Sequence, residues 1–341
     1  PLSPQHQQQQ QQATTPTTLG LPVLGFLPTV AGISTLAGLS AAAPTAEAAA
    51  PQDRPVLREP APNPRGSRDE GNIWRLARDV DGCRLIQDAL ETAQSDRERM
   101  VMASELRGRV WQAMRHRHAN HVLQKCIVTM RPDAVQFIVD ELGAKGPSAV
   151  SRAARHAYGC RILQRLLEHC RSDQLVVLVE ALVCDCVALS KHVYGNFVMQ
   201  HVLEYGTTSQ RLLVLQELER FAHELGRDIH SGAVLAQALA HGPPAERASL
   251  ARSLVCQEGA LAAMARTRHG SAAAKLVLEA LEGWELMEAQ RQLSLEMSSL
   301  SSRRYGRAVV ACLPRLLGSS ASVPEPLAGG RRRRRKQGEA P

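Results

Sequence analysis

From residue 71 onward the chain sets short apolar runs against isolated polar positions, and the spacing is helical. One stretch reads Tyr194-Gly195-Asn196-Phe197-Val198-Met199-Gln200, and related stretches precede it. They are Gly82-Cys83-Arg84-Leu85-Ile86-Gln87, Ala119-Asn120-His121-Val122-Leu123-Gln124 and Gly159-Cys160-Arg161-Ile162-Leu163-Gln164. Each opens on a small residue, continues with a short polar or thiol side chain, and places a Gln four residues after that. Residues four apart lie one above the other on a helix. Each copy therefore presents a pair: Cys83/Gln87, Asn120/Gln124, Cys160/Gln164 and Asn196/Gln200. The apolar residues between the members of a pair must face a core.

The residue after the small one marks a period. The markers are Cys83, Asn120, Cys160, Asn196, Ala233, Ser271 and Arg307, at intervals of 37, 40, 36, 37, 38 and 36 residues. A fixed period in this range predicts an all-α solenoid whose units bury their apolar faces against their neighbours. Turn residues interrupt the helical pattern at Gly143 to Pro147, Gly206-Thr207-Thr208 and Gly242-Pro243-Pro244. Each unit reads as three helical pieces. In the third unit these are Val150 to His156, Cys160 to His169 and Asp173 to Ala188. In the fourth, Asn196 to Glu204 is followed by one helix over Ser209 to Leu225.

The flanks differ. Residues 1–70 hold a polyglutamine run, Gln7 to Gln12, a Thr/Pro patch and an uncharged stretch, Leu19 to Ala43. That stretch is long enough to cross a bilayer, but its glycines and prolines make it a poor helix. The expectation is a low-complexity, disordered region over 1–70, a repeat domain over 71–317 and a disordered basic tail over 318–341, with no membrane role. The net charge of +8 divides as −1 over residues 1–70, +5 over 71–317 and +4 over 318–341. A mildly basic repeat domain is open to an anionic partner. The eight cysteines show no disulfide spacing, which favours a reduced, intracellular protein.

At the four matched stretches the chain resembles the Pumilio (PUF) family of RNA-binding repeat proteins. The resemblance covers residues 71–240 well and 241–317 loosely. It implies a right-handed superhelical solenoid of three-helix repeats, with single-stranded RNA along the concave face at one base per repeat. By the same resemblance, Cys83, Gln87, Asn120, Gln124, Cys160, Gln164, Asn196 and Gln200 would touch base edges. Arg84, His121, Arg161 and Phe197 would stack on bases, and each has the flat group that stacking requires. In the family's code a Cys/Gln pair goes with adenine and an Asn/Gln pair with uracil. With RNA running antiparallel, the implied core is 5′-UAUA-3′.

The later units depart from the pattern. Where the family carries a guanine-reading Ser/Glu pair, the fifth unit offers Ala233 and Gln237, with Val234 at the stacking place. The sixth has Ser271, Ala272 and Lys275, and the seventh Arg307 and Ala311. Gln237, Ser271, Lys275 and Arg307 are expected to make weak RNA contacts or to cap the solenoid.

The role implied is post-transcriptional control in the cytoplasm through mRNA 3′ untranslated regions, with the convex face open to protein effectors. Two alternatives stand beside it: a ribosome-biogenesis factor that binds RNA with little sequence preference, and a HEAT- or armadillo-like protein scaffold. The basic run Arg331 to Lys336 would suit nuclear or nucleolar entry, or an arm for phosphates. No catalytic constellation, small-molecule substrate or cofactor is expected. His116, His118 and His121, and Cys184 and Cys186 with His192, lack the paired spacing of a zinc site. Trp74 and Trp111, at equivalent places, read as core contacts.

Overall fold

The computed structural model describes residues 71–313. The expectations for residues 1–70 and for the tail beyond 313, including the uncharged stretch and the basic run, lie outside the described residues. Among the described residues there are twenty α-helices, one short 3-10 turn and no strand. No described helix is long and apolar enough to cross a membrane.

The helices form seven repeats. Six have three pieces: a short first helix, a second helix carrying the polar pair, and a third helix. Repeat 1 is Asn72–Ala77, Val80–Thr92 and Asp96–Ser104; repeat 2 is Val110–Arg115, Ala119–Thr129 and the segment from Pro132 to Gly143. Repeat 3 is Pro147–Ala154, Gly159–His169 and Val176–Cys184; repeat 4 is Cys186–Ser190, Gly195–Tyr205 and Thr208–Arg220. Repeat 5 is Ala222–Leu225, Ser231–His241 and Pro244–Val255; repeat 6 is Ala260–Ala265, Gly270–Ala280 and Gly283–Leu295. Repeat 7 adds Met297–Ser301 and Arg304–Val310. The second helices pack on one another in chain order, and the third helices of repeats 2 to 6 form a second row. One continuous apolar core runs from Trp74 to Leu313.

Two helices that the hydrophobic spacing reads as single are broken. The chain turns at Asp185, splitting 173–188, and at Phe221, splitting 209–225. The piece after each break is the first helix of the next repeat. The break lets Leu189 and Leu225, both fully buried, slide beneath the helix that follows.

That seating explains the small residue at the head of each second helix. A Cβ on Gly82 would lie 2.6 Å from the Leu76 carbonyl oxygen, and one on Gly195 would lie 2.7 Å from that of Leu189. In both cases the blocking carbonyl is six residues earlier, and the approach leaves no room for a side chain.

Side chains between repeats hold the stack in register. Arg155 pairs with Asp185 at 2.6 Å, Lys191 with Glu224 at 2.6 Å and Arg266 with Glu296 at 2.8 Å. Each basic residue ends one first helix and reaches toward the first helix of the next repeat. Lys125 to Glu91, at 2.6 Å, and His201 to Glu168, at 2.9 Å, link neighbouring second helices. The Arg and Lys pairs are partly exposed and worth about 0–1 kcal/mol each, so they set alignment more than stability, whereas His201 is buried. The two tryptophans differ. Trp74 is buried, while Trp111 is partly buried and donates its indole N–H to the Glu141 carbonyl at 2.8 Å.

Candidate nucleic-acid interface

The four polar pairs sit on second helices that pack consecutively, so the structure brings Cys83/Gln87, Asn120/Gln124, Cys160/Gln164 and Asn196/Gln200 into one row. The first member of each pair is buried: Cys83 is 3% exposed, Asn120 1%, Cys160 2% and Asn196 4%. Gln87, Gln124 and Gln200 are partly exposed. The burial turns the first members inward, and a buried polar group must find a partner.

They find it in the backbone. The Asn196 amide donates to the carbonyls of His192 at 2.8 Å and Val193 at 3.0 Å. Asn120 donates likewise to His116 at 2.8 Å and Arg117 at 3.0 Å. Those two acceptors fix which side of each asparagine carries nitrogen. The remaining oxygen then accepts from the glutamine: Gln200 Nε2 to Asn196 Oδ1 is 3.0 Å, and Gln124 Nε2 to Asn120 Oδ1 is 2.9 Å. A chain of hydrogen bonds from the backbone thus orients the outer amide.

The cysteine repeats are built differently. The Cys160 thiol donates to the Ala157 carbonyl at 3.3 Å, and burial pushes it up to about 11, so it stays a neutral donor. Cys83 donates to the His118 carbonyl of the next repeat at 3.2 Å and accepts from Gln87 Nε2 at 3.1 Å. Gln164 Nε2 is buried and has no hydrogen-bond partner.

Beside each first member stands the expected stacking residue. Arg84 is exposed and 3.5 Å from Asp81; His121 is exposed; Arg161 and Phe197 are partly exposed. The His121 ring is held below the usual imidazole range by partial loss of hydration against its surroundings and by neighbouring His118, which favours the neutral ring.

Repeat 5 shifts the sequence register by one residue. Its second helix starts at Ser231, as the others start at Gly159, Gly195 and Gly270. Ser231, rather than Gly232, fills the place of the small residue, and its hydroxyl donates to the Leu225 carbonyl six residues earlier. The marker is therefore Gly232, the stacking place holds Ala233 and the second pair member is Ala236. Gln237 falls one position beyond, at the place where Lys125 and His201 make contacts between repeats. In repeat 6, Ser271 is buried and donates to the Arg268 carbonyl at 2.9 Å, while Lys275 is partly exposed. Arg307 of repeat 7 is exposed.

One repeated feature lies four residues before each of the first six markers. His116, His156 and His192 accept through Nδ1 from the two backbone N–H groups at the head of the second helix, at 3.1–3.3 Å. Asp79 and Asp228 do the same with a carboxylate, and the Thr267 hydroxyl accepts from one such group, the Gly270 N–H. These are N-terminal caps for donors the helix leaves unpaired. Burial first, and then nearby positive groups, hold His156 and His192 below the usual range, as a lone pair on Nδ1 requires. His116 and His192, weighed above as metal ligands, are thus occupied with backbone. An acceptor recurring at Asp79, His116, His156, His192, Asp228 and Thr267 was visible in the sequence, and it identifies Gly232 as the fifth marker.

Comparison with known proteins adds to this geometry. A family model described as PUF, Pumilio-family RNA binding repeat, matches residues 72–107, 110–142, 154–183 and 185–219. Pumilio homology domain family member 4 of Saccharomyces cerevisiae is 32% identical over 97 residues, which is 26% of this chain and 10% of that protein. Pumilio homolog 12 of Arabidopsis thaliana is 25% identical over 128 residues, covering 37% of this chain and 20% of that protein. The matches thus span a fifth or less of these relatives. Among solved structures, PUF-8 in complex with PBE-RNA superposes with a TM-score of 0.62 at 23% identity, covering 71% of each chain. The Puf4 RNA binding domain bound to the HO endonuclease RNA 3′ UTR recognition sequence gives 0.60 at 20% identity, covering 70% of this chain and 76% of that one. At these identities the superpositions establish the solenoid fold.

Proposed function

The chain is a Pumilio-family repeat protein, and from that premise we propose that it binds single-stranded RNA through the row of pairs in repeats 1 to 4. The observation that carries the reading is the oriented amide. In repeats 2 and 4 the glutamine nitrogen is engaged by asparagine, which leaves Oε1 to accept a hydrogen bond. A uracil edge supplies an N–H for that acceptor. In repeat 3 the Gln164 nitrogen is buried and unpartnered; turned outward by a rotamer change, it would find an acceptor in the ring nitrogen of an adenine edge. In repeat 1 the Gln87 nitrogen rests on the Cys83 sulfur, a weak acceptor, and adenine there follows from the family's code; with Arg84, His121, Arg161 and Phe197 stacking beside the pairs, the preferred core is 5′-UAUA-3′. The family models and the RNA-bound relatives support RNA as the partner. The role follows from binding without chemistry: recognition of messages in the cytoplasm and control of their translation or stability, with effector proteins on the opposite face.

Selection of RNA ligands by the full chain tests this. Enrichment of UAUA is expected, and a pool that stays random would overturn the reading. The joint change Asn196→Ser with Gln200→Glu tests the register. By the family's code it moves the 5′-most U of the core to G, at a loss of about 1–3 kcal/mol on the original RNA. An unchanged preference would put repeat 4 elsewhere on the RNA.

A further inference from the structure

The geometry points to a split binding mode, resting on the RNA reading above: repeats 1 to 4 read bases, repeat 5 is blind to the base it faces, and repeats 6 and 7 hold the backbone by charge alone. The first observation is at the junction of repeats 5 and 6. All three contact places of repeat 5, Gly232, Ala233 and Ala236, lack a hydrogen-bonding group and a flat face. The second helices of repeats 5 and 6 also close on each other there. A Cβ on Gly232 would lie 2.6 Å from the Gly270 backbone nitrogen and 2.8 Å from its Cα. The place where Cys83, Asn120, Cys160 and Asn196 stand is therefore filled by the neighbouring backbone.

The second observation is a change in the character of the row. In repeats 1 to 4 the pair places hold neutral amides and thiols. Beyond the junction they hold Lys275 and Arg307, with Arg268 three residues before the Ser271 marker and Arg304 at the equivalent place in repeat 7. Repeat 2 also has a cation at that place, Arg117, while repeats 1 and 3 to 5 are apolar there: Val80, Ala157, Val193 and Ile229. Arg268 and Arg307 are exposed and Lys275 is partly exposed, and none of the three makes a salt bridge among the described residues. Arg266, by contrast, points away to Glu296 and is neutralised. The acidic residue of the repeat 6 second helix, Glu279, stands at its far end, eight residues beyond Ser271. Ser271 turns its hydroxyl inward to the Arg268 carbonyl, and Ala272 and Ala308 at the stacking places offer no flat group. Cations without a stacking platform or an oriented amide attract phosphate without regard to the base. RNA running antiparallel presents three nucleotides to repeats 5 to 7, directly 5′ of the UAUA core.

The test uses the full chain with heptamers 5′-NNNUAUA-3′, with the UAUA tetramer and with heptamers of scrambled core. Changing the three 5′ bases among A, C, G and U is expected to alter affinity less than about twofold, while removing those nucleotides lowers it about tenfold or more. The Lys275→Gln, Arg307→Gln double variant should weaken cognate and scrambled heptamers by the same factor. It should also reduce the slope of log K against log salt by about 0.7 for each phosphate that is no longer neutralised. A base preference of about fivefold or more at the three 5′ positions, or a salt slope unchanged in the double variant, would overturn the inference. A change of the U opposite repeat 4 separates the two claims. If it leaves affinity unchanged, the base reading itself fails; if it costs about fivefold or more while the 5′ bases also matter, only the split mode fails.

Discussion

Gln200 Nε2 lies 3.0 Å from Asn196 Oδ1, while the Asn196 amide nitrogen is spent on the carbonyls of His192 and Val193. One buried asparagine thus completes the helix start and aims the glutamine that faces outward. Asn196→Ala removes both functions. It strands the Val193 carbonyl, leaves that of His192 with only the Asn196 backbone N–H, and releases Gln200, with an expected loss of about 1–3 kcal/mol in urea unfolding. RNA preference at the nucleotide facing repeat 4 should flatten as well. A variant that keeps full stability would show that the buried amide is dispensable for the fold.

Glycine substitutions should divide by what a Cβ would meet. Gly195→Ala drives a methyl group against the Leu189 carbonyl at 2.7 Å and is expected to cost about 1–3 kcal/mol. Gly143→Ala meets only Val177 Cγ1 at 3.7 Å and Leu178 Cδ2 at 3.8 Å, ordinary contacts, and should be neutral or stabilising by about 0.4–1 kcal/mol. Thermal unfolding of the two variants against the parent measures the difference. Equal effects would remove the explanation given for the small residue at each helix start.

The histidine caps make stability depend on pH. His156 and His192 accept hydrogen bonds through Nδ1, and burial lowers both from the ordinary value. The unfolded chain therefore binds protons first as pH falls, so stability rises with pH. The contribution is fully present above the unfolded value of about 6.5 and is lost as pH falls through the lower folded values. Urea midpoints at about pH 7.5 and 5.5 should show the decline. The joint change His156→Asp with His192→Asp keeps a cap of the kind Asp79 and Asp228 provide. It should reduce that decline. It should not abolish it, because His121 and His269 are also lowered by partial loss of hydration.

The ladder between first helices makes a smaller prediction. Arg155 and Asp185 are 2.6 Å apart and about one-third exposed, at 32% and 28%. A double-mutant cycle through Arg155→Met and Asp185→Asn should give a coupling of about 0.2–1 kcal/mol that shrinks at high salt. A coupling well above that would mean the ladder is a main support of the stack.

The period, the all-α class and the four polar pairs follow from spacing within single helices. A face repeats every four residues whatever surrounds it, so Asn196 and Gln200 could be matched with Asn120 and Gln124 from the chain alone. The helix breaks at Asp185 and Phe221 could not. Apolar residues continue at helical spacing through both, and the turns exist because Leu189 and Leu225 must reach under the following helix. The caps were present in the sequence as a recurring acceptor, but a histidine among histidines carries no mark of which neighbour it bonds.

Repeat 5 divides most clearly what sequence determined from what tertiary structure decided. Ser231, Gly232 and Ala233 are all small, and the spacing of small residues alone accepts any of them as the head of the unit; only the acceptor at Asp228 hints at which. The choice was made by packing between helices: the Ser231 hydroxyl on the Leu225 carbonyl of the preceding helix, and Gly232 against the backbone of Gly270, 38 residues away. Local periodicity specified the helices and the residues on their faces. Close packing between repeats specified the register and, with it, which of those residues a ligand could reach.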